Sequence, residues 1–197
     1  MENYQKQLDN IISKLDGKPT LVLHSCCGPC STYVLKYLTQ YFNVTLFFYN
    51  PNIQPETEYK KRLEAQKTVC RQLGVTLVDF KYDSSEFLDA VKGLENEKEG
   101  GARCAECFKI RLKQGAEYAA KGGFDFFTTT LTVSPHKNAQ LINELGQGIC
   151  REFNVNWLPG DFKKKNGYLT SIQLSKEYDL YRQDYCGCIF SKIKDTD

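Results

Sequence analysis

Along the chain, short apolar runs alternate with longer stretches in which apolar residues recur every three or four positions. The runs TLVLH (20–24), VTLFFY (44–49), VTLVDF (75–80), FDFFTT (124–129) and VNWL (155–158) are brief and rich in β-branched and aromatic residues, so they predict strands. The stretches between them run to roughly 10–18 residues with helical periodicity. This alternation predicts an α/β fold, a Rossmann-like, mostly parallel sheet with helices on both faces. No internal repeat and no Pro/Gly/Ser-rich linker interrupts it, so residues 1–197 read as a single domain large enough for a proper core. The one low-complexity stretch, ENEKEGG at 95–101, reads as an exposed loop leading into Arg103-Cys104. Ligands of parallel sheets bind beyond the carboxyl ends of the strands. Attention therefore falls on the loops after Leu23, Tyr49, Phe80 and Thr130.

No segment approaches the run of about 20 apolar residues that a membrane-spanning helix needs, so no membrane partner is expected. The N-terminal MENYQKQLDNIISKL places polar and acidic residues where a signal peptide would be apolar, and the expected location is cytoplasmic. That location changes the meaning of nine cysteines. In a reducing compartment they point to metal binding or redox work rather than structural disulfides, and the odd count argues against full pairing. The net charge of +2 announces no nucleic-acid partner. Locally, Lys60-Lys61-Arg62 and Lys163-Lys164-Lys165 could meet phosphate or form solvated surface.

The cysteines fall into groups. After the first strand comes HSCCGPCS (24–31), where Gly28 allows a tight turn and Pro29 suits the first turn of a helix. Cys26 and Cys27 would then lie beside helix N-terminal N–H groups, whose dipoles favour thiolate. Next, Cys104-Ala105-Glu106-Cys107 opens a helix and puts two sulfurs on one face, about one turn apart, a spacing that suits zinc, a cluster or a redox pair. Arg111 follows on that face, either as an ordinary surface charge or as a cation against a cluster or a phosphate. Four thiolates from two distant segments fit a [4Fe–4S] cluster better than structural zinc, which usually takes two similar halves. Cys186-Gly187-Cys188 can close a small, strained, reducible disulfide or bind a second metal. Cys70 and Cys150 sit on apolar helical stripes and read as core, while the place of Cys30, one turn into its helix, stays open.

Two further stretches bear chemistry. In FTTTLTVSPHK (127–137), Ser134 is expected to cap a helix that begins at Pro135, leaving N–H groups, hydroxyls and Lys137 to hold an anion. His136 could give a proton to an intermediate. The loop YNPNIQP (49–55) reads as a rigid polar surface that could contact a base or sugar, or as a simple turn.

Taken in order from residue 24 to 188, HSCCGPCS, YNPNIQP, Tyr59 with Arg62, RCAECFKIRL, FTTTLTVSPHK and YRQDYCGC resemble the cobalamin-independent epoxyqueuosine reductases. The resemblance implies a Rossmann-like, nucleotide α-hydrolase-like sheet, and reduction of the epoxide of epoxyqueuosine in tRNA to the alkene of queuosine. It makes Cys26, Cys27, Cys104 and Cys107 the ligands of a [4Fe–4S] cluster. It makes Cys186 and Cys188 a redox-active pair, and it allows an additional iron. The first strand–loop–helix is distantly similar to ATP pyrophosphatases, but their S-G-G-x-D-S loop is replaced here by Ser25-Cys26-Cys27-Gly28-Pro29-Cys30-Ser31.

On this reading tRNA carrying epoxyqueuosine is the partner, and Arg111, Ser134 and Lys137 are expected substrate contacts. Asp184, Glu106 and His136 are the candidate proton donors. An external electron donor is required, because no nicotinamide or flavin fingerprint occurs. Two rival functions are an ATP-dependent tRNA-thiolation enzyme and a zinc-stabilised RNA-binding module.

Overall fold

A computed structural model describes residues 3–192. In chain order its elements are α1 (Tyr4–Ile12), β1 (Thr20–His24), α2 (Gly28–Leu38), β2 (Asn43–Phe48), α3 (Glu56–Leu73), β3 (Thr76–Asp79), α4 (Ser85–Ala90) and α5 (Ala102–Lys121). There follow β4 (Phe126–Thr129), a 3-10 turn (Thr130–Val133), α6 (Ala139–Glu152), β5 (Asn156–Trp157), α7 (Gly167–Glu177) and a last 3-10 turn (Ile189–Ser191). The strands form one parallel sheet in the order β3-β2-β1-β4-β5. The five expected strands are all present, with β5 trimmed to two residues at the sheet edge.

Alternation along each strand sorts side chains onto two cores. Leu21 and Leu23 join Leu46 and Phe48 on one face, closed by α1, α2, α3 and α7. Val22, Phe47 and Phe127 point to the other, closed by α5 and α6. Burial on both faces explains why the runs are continuously apolar rather than alternating. Cys70 and Cys150 lie one in each core, as their stripes predict. No helix among the described residues is long and apolar enough to cross a membrane.

The chain steps outward from β1 to β2 and β3, then returns to place β4 on the other flank of β1. β1 and β4 thus send their following helices, α2 and α6, to opposite faces, and a crevice opens at their carboxyl ends. Gly28 is needed where α2 enters that crevice. A Cβ there would come within 2.8 Å of the Ala65 backbone on α3.

One boundary differs from expectation. Ser134 does not cap a helix, and Pro135 does not begin one. Asn138 is the cap, its Oδ1 accepting from the Leu141 N–H at 3.1 Å, and α6 starts at Ala139. Asparagine has the same capping chemistry as serine, and it wins because Ser134 is engaged in a turn, its Oγ accepting from the His136 N–H at 3.3 Å. The segment 134–138 is therefore a loop at the crevice.

Candidate functional site

β1 delivers the first cysteines. At its end His24 is fully buried, with Nδ1 2.7 Å from Thr129 Oγ1 and Nε2 3.2 Å from the Tyr49 carbonyl. The carbonyl can only accept, so the proton sits on Nε2, and Nδ1 accepts from the Thr129 hydroxyl. Burial, helped by the charge of Arg111, lowers the imidazole pKa to about 3, so His24 is a neutral strut joining β1, β2 and β4. The next residue is equally tied down. Ser25 Oγ donates to Gln66 Oε1 at 2.8 Å, and the Asn50 side-chain amide donates to the Ser25 carbonyl at 2.8 Å.

On that frame the sulfurs of Cys26, Cys27 and Cys30 lie within 4.8 Å of one another, a group able to hold a metal ion. Cys26 and Cys27 are buried and Cys30 is half-buried. Donation from the Cys27 and Cys30 thiols, with Lys137 and Arg111 nearby, holds Cys26 well below the ordinary thiol range. Sharing its proton with Cys26 pushes Cys27 up to about 12. Cys30 belongs with the thiol loop rather than with the core cysteines.

α5 brings Cys104 and Cys107 on its first turns, as expected. They line a small enclosed pocket together with Cys186 and Cys188, and His136 and Lys137 close it. Burial raises the pKa of both α5 thiols, that of Cys107 to about 12. All nine cysteines are free thiols, Cys186 and Cys188 included. Beside this pocket lies a larger cavity of about 630 Å³, whose walls include Cys26, Cys30, Cys186, Ser134, Lys137 and Asp184. His136 borders both spaces.

The cations divide in a way the sequence left open. Arg111 is buried at 1% exposure, with Nη1 3.8 Å from Cys107 Sγ and Nη2 donating to Asn50 Oδ1 at 2.8 Å. It is no surface charge, and its guanidinium faces inward against Cys107 and Asn50. Lys137 is half-buried at the cavity wall. Burial opposes its charge, yet the sulfurs of Cys186, Cys26 and Cys30 beside it outweigh that and raise its pKa. Glu106, a candidate proton donor, pairs with Lys109 at 2.6 Å outside the cavity lining.

Other expectations change too. YNPNIQP is not a recognition surface, since residues 50–54 are buried. Of the basic clusters, Arg62 is buried, Lys60 pairs with Glu56, Lys163 with Asp161 and Lys165 with Asp9. Glu58 and Gln183 went unnoticed, and Arg62 was read only within a basic cluster and the family resemblance. Arg62 shares the buried stripe of α3 with Tyr59, Gln66 and Val69, and that spacing was the signal available. Gln183 reaches across from the C-terminal segment, its Nε2 donating to Cys27 Sγ at 3.0 Å. No periodicity could have announced that contact.

A parallel, doubly wound sheet with a metal-competent thiol group at its switch point defines a Rossmann-like protein built for metal or redox chemistry. The sequence model of the family described as "Epoxyqueuosine reductase QueH" matches residues 21–194, and the chain belongs to that family. Relatives of that name include a Staphylococcus epidermidis protein, 44% identical over 98% of this chain and 85% of its own length. The Thermotoga maritima relative is 38% identical over 89% of this chain and 91% of its own. Among solved structures, the chain resembles the U34-tRNA thiolase NcsA from Methanococcus maripaludis, described with its [4Fe-4S] cluster. The TM-score is 0.61 at 14% identity, over 95% of this chain and 67% of that one. A predicted subunit of tRNA methyltransferase from Methanocaldococcus jannaschii matches with a TM-score of 0.52 at 16% identity, over 80% of this chain and 75% of that one. These two likenesses concern the fold alone.

Proposed function

We propose that this chain reduces epoxyqueuosine in tRNA to queuosine, the last step in making that nucleoside, and works in the cytoplasm where tRNA is found. Family membership supports the reaction. The observation that carries it to these residues is the convergence of Cys26, Cys30, Cys186, His136 and Lys137 on one cavity. Converting the epoxide to the alkene consumes two electrons and two protons and releases the oxygen as water.

The donor set fits an iron–sulfur cluster: two clusters of thiols, one on the β1–α2 loop and one on α5, with cations Arg111 and Lys137 beside them. Cys26, Cys27, Cys104 and Cys107 would hold a [4Fe–4S] cluster, which supplies electrons at the sheet's carboxyl edge. Cys30 is the donor left over on that loop for the additional iron.

The chain's own groups then have defined tasks. The 630 Å³ cavity admits a nucleoside side chain past Ser134 and Asp184. Lys137 balances negative charge at the thiol floor. Imidazoles move protons near neutral pH, and His136, which borders the cavity, would be the group that protonates the departing oxygen. Cys186 and Cys188, on passing from two thiols to a disulfide, release two electrons and two protons, which matches the demand of the reaction. An external donor then returns the pair to thiols.

The test supplies reduced protein and epoxyqueuosine-containing tRNA under strict anaerobiosis, then digests the tRNA and weighs the nucleosides. Queuosine is the expected product. Its absence, with a fully loaded and reducible cluster, would refute the substrate assignment.

A further inference from the structure

The segment that carries Cys186 and Cys188 has no regular structure between the end of α7 and the last 3-10 turn. What fixes it is a set of side-chain bonds, and most lead to one buried ion pair. Arg62 Nε meets Glu58 Oε1 at 2.6 Å, one turn earlier on α3, with side-chain exposures of 1% and 9%. The other two nitrogens of the guanidinium fan donate to the segment itself, Nη1 to the Cys186 carbonyl at 3.0 Å and Nη2 to the Tyr185 carbonyl at 3.1 Å. The second oxygen of Glu58 accepts from the Tyr181 hydroxyl at 2.7 Å. The planar fork of arginine is suited to two such carbonyls at once, and the Tyr185 ring lies 5.2 Å from the guanidinium.

The segment answers with its own backbone. The Gly187 carbonyl accepts from the Gln54 N–H at 2.9 Å, and Gly187 has φ +106°. A side chain there would be strained, and its Cβ would lie 3.0 Å from both Arg62 Nη1 and Ile53 Cγ1. The glycine between the cysteines is thus fitted against Arg62. Arg62 also borders the cavity in which Cys186 is exposed.

We infer that Arg62, oriented by Glu58, is a positioning residue: it latches the 181–188 strap over the thiol floor and fixes where Cys186 and Cys188 stand. The latch follows from the geometry alone, and its importance for turnover rests on the proposed reductase activity. Without Arg62 two strap carbonyls lose their donor and Glu58 is left a buried, unpaired carboxylate. Opening is then local, because neither of the two large cores holds any part of the strap, and only Cys188 packs into a small cluster with Phe87, Val91 and Cys107.

The test is cysteine-resolved alkylation of anaerobically purified, full-length protein, read by mass spectrometry. In Arg62→Gln, Cys186 and Cys188 should react at least about tenfold faster than in the unmodified chain, a change equivalent to the loss of a charged hydrogen bond. Cys70 and Cys150, in the two cores, should keep their protection. Arg62→Lys, which retains charge but not the fork, should fall between. Lys60→Ala, on the exposed face of the same helix, should change nothing. If Arg62→Gln fails to fold, Tyr181→Phe removes only the Glu58 link to the strap and should give a smaller, equally selective rise. Unchanged labelling of Cys186 and Cys188, or a rise shared by Cys70 and Cys150, overturns the latch. Labelling needs no substrate, so failure of the latch and failure of the reductase reading are told apart. If both hold, Arg62→Gln should lower kcat more than it raises KM.

Discussion

Arg111 and Asn50 meet in the interior, the guanidinium donating to the amide oxygen at 2.8 Å while the amide nitrogen holds the Ser25 carbonyl at 2.8 Å. One asparagine therefore ties α5 and its cysteine pair to the loop that carries Cys26 and Cys27. Asn50→Ala removes both bonds and leaves a buried cation and a buried carbonyl short of a partner. The expected loss is about 2–4 kcal/mol, read as a fall in the urea midpoint at constant m-value. An unchanged midpoint would mean that the bond between the two thiol-bearing segments contributes nothing.

The cysteines should separate into three behaviours. Replacing Cys26, Cys27, Cys104 or Cys107 by Ala should abolish the brown colour and the roughly four irons per chain expected of a cubane cluster. Cys70→Ala and Cys150→Ala should keep the iron at a stability cost of about 1 kcal/mol, since each deletes one buried sulfur. Cys186→Ser and Cys188→Ser should keep the iron yet stop turnover. Iron analysis beside the nucleoside assay decides the matter, and loss of iron from either C-terminal variant would make that residue a ligand.

The fold was legible because its strands are buried on both faces and announce themselves as apolar runs, and because Gly28 and Pro29 mark the start of α2 unambiguously. The thiol groups were legible for a different reason: cysteines cluster along the chain as they do in space. Failures came where a contact spans sequence without periodicity. Arg62 looked like part of a lysine-rich surface run, and only the packing of the strap shows why α3 buries a cation. Arg111 likewise had two readings that only burial could separate. The loop of residues 49–55 looked exposed because it is polar, but residues 50–54 are buried, with the Asn50 amide donating to the Ser25 carbonyl and the Gln54 carbonyl accepting from the Tyr185 hydroxyl.

Acid should weaken the junction between β1 and β4. Asp125 accepts from both the Thr20 N–H and the Thr20 hydroxyl at 2.8 Å, and these bonds lower its carboxyl pKa. A depressed folded-state pKa means the contribution is present above the ordinary carboxylate range and is lost as pH falls through the folded value. The site is exposed, so solvent screening limits the contribution to less than about 1 kcal/mol. The unmodified chain should be slightly more stable than Asp125→Asn at pH 7, and the gap should be smaller at pH 3. Urea midpoints at both pH values check this, and a gap that widens in acid would reverse the sign.

Binding of tRNA and chemistry on it should come apart in the cations. Lys137 stands at the cavity wall against the thiols, whereas Arg182 and Lys164 are exposed. Each exposed cation that neutralises a single-strand phosphate contributes about −0.7 to the slope of log affinity against log salt. The net charge is only +2, and Lys163 and Lys165 are already paired, so few such contacts are available and the slope should be shallow. Arg182→Gln and Lys164→Gln should weaken binding at low salt and flatten that slope, with kcat retained at saturating tRNA. Lys137→Gln should leave the slope as it was and lower kcat, because the lost charge faced Cys26, Cys30 and Cys186 rather than the polynucleotide. Filter binding over a salt series, beside single-turnover rates, distinguishes the two. A slope change in Lys137→Gln with an unaltered rate would move that lysine from the thiol floor to the tRNA backbone.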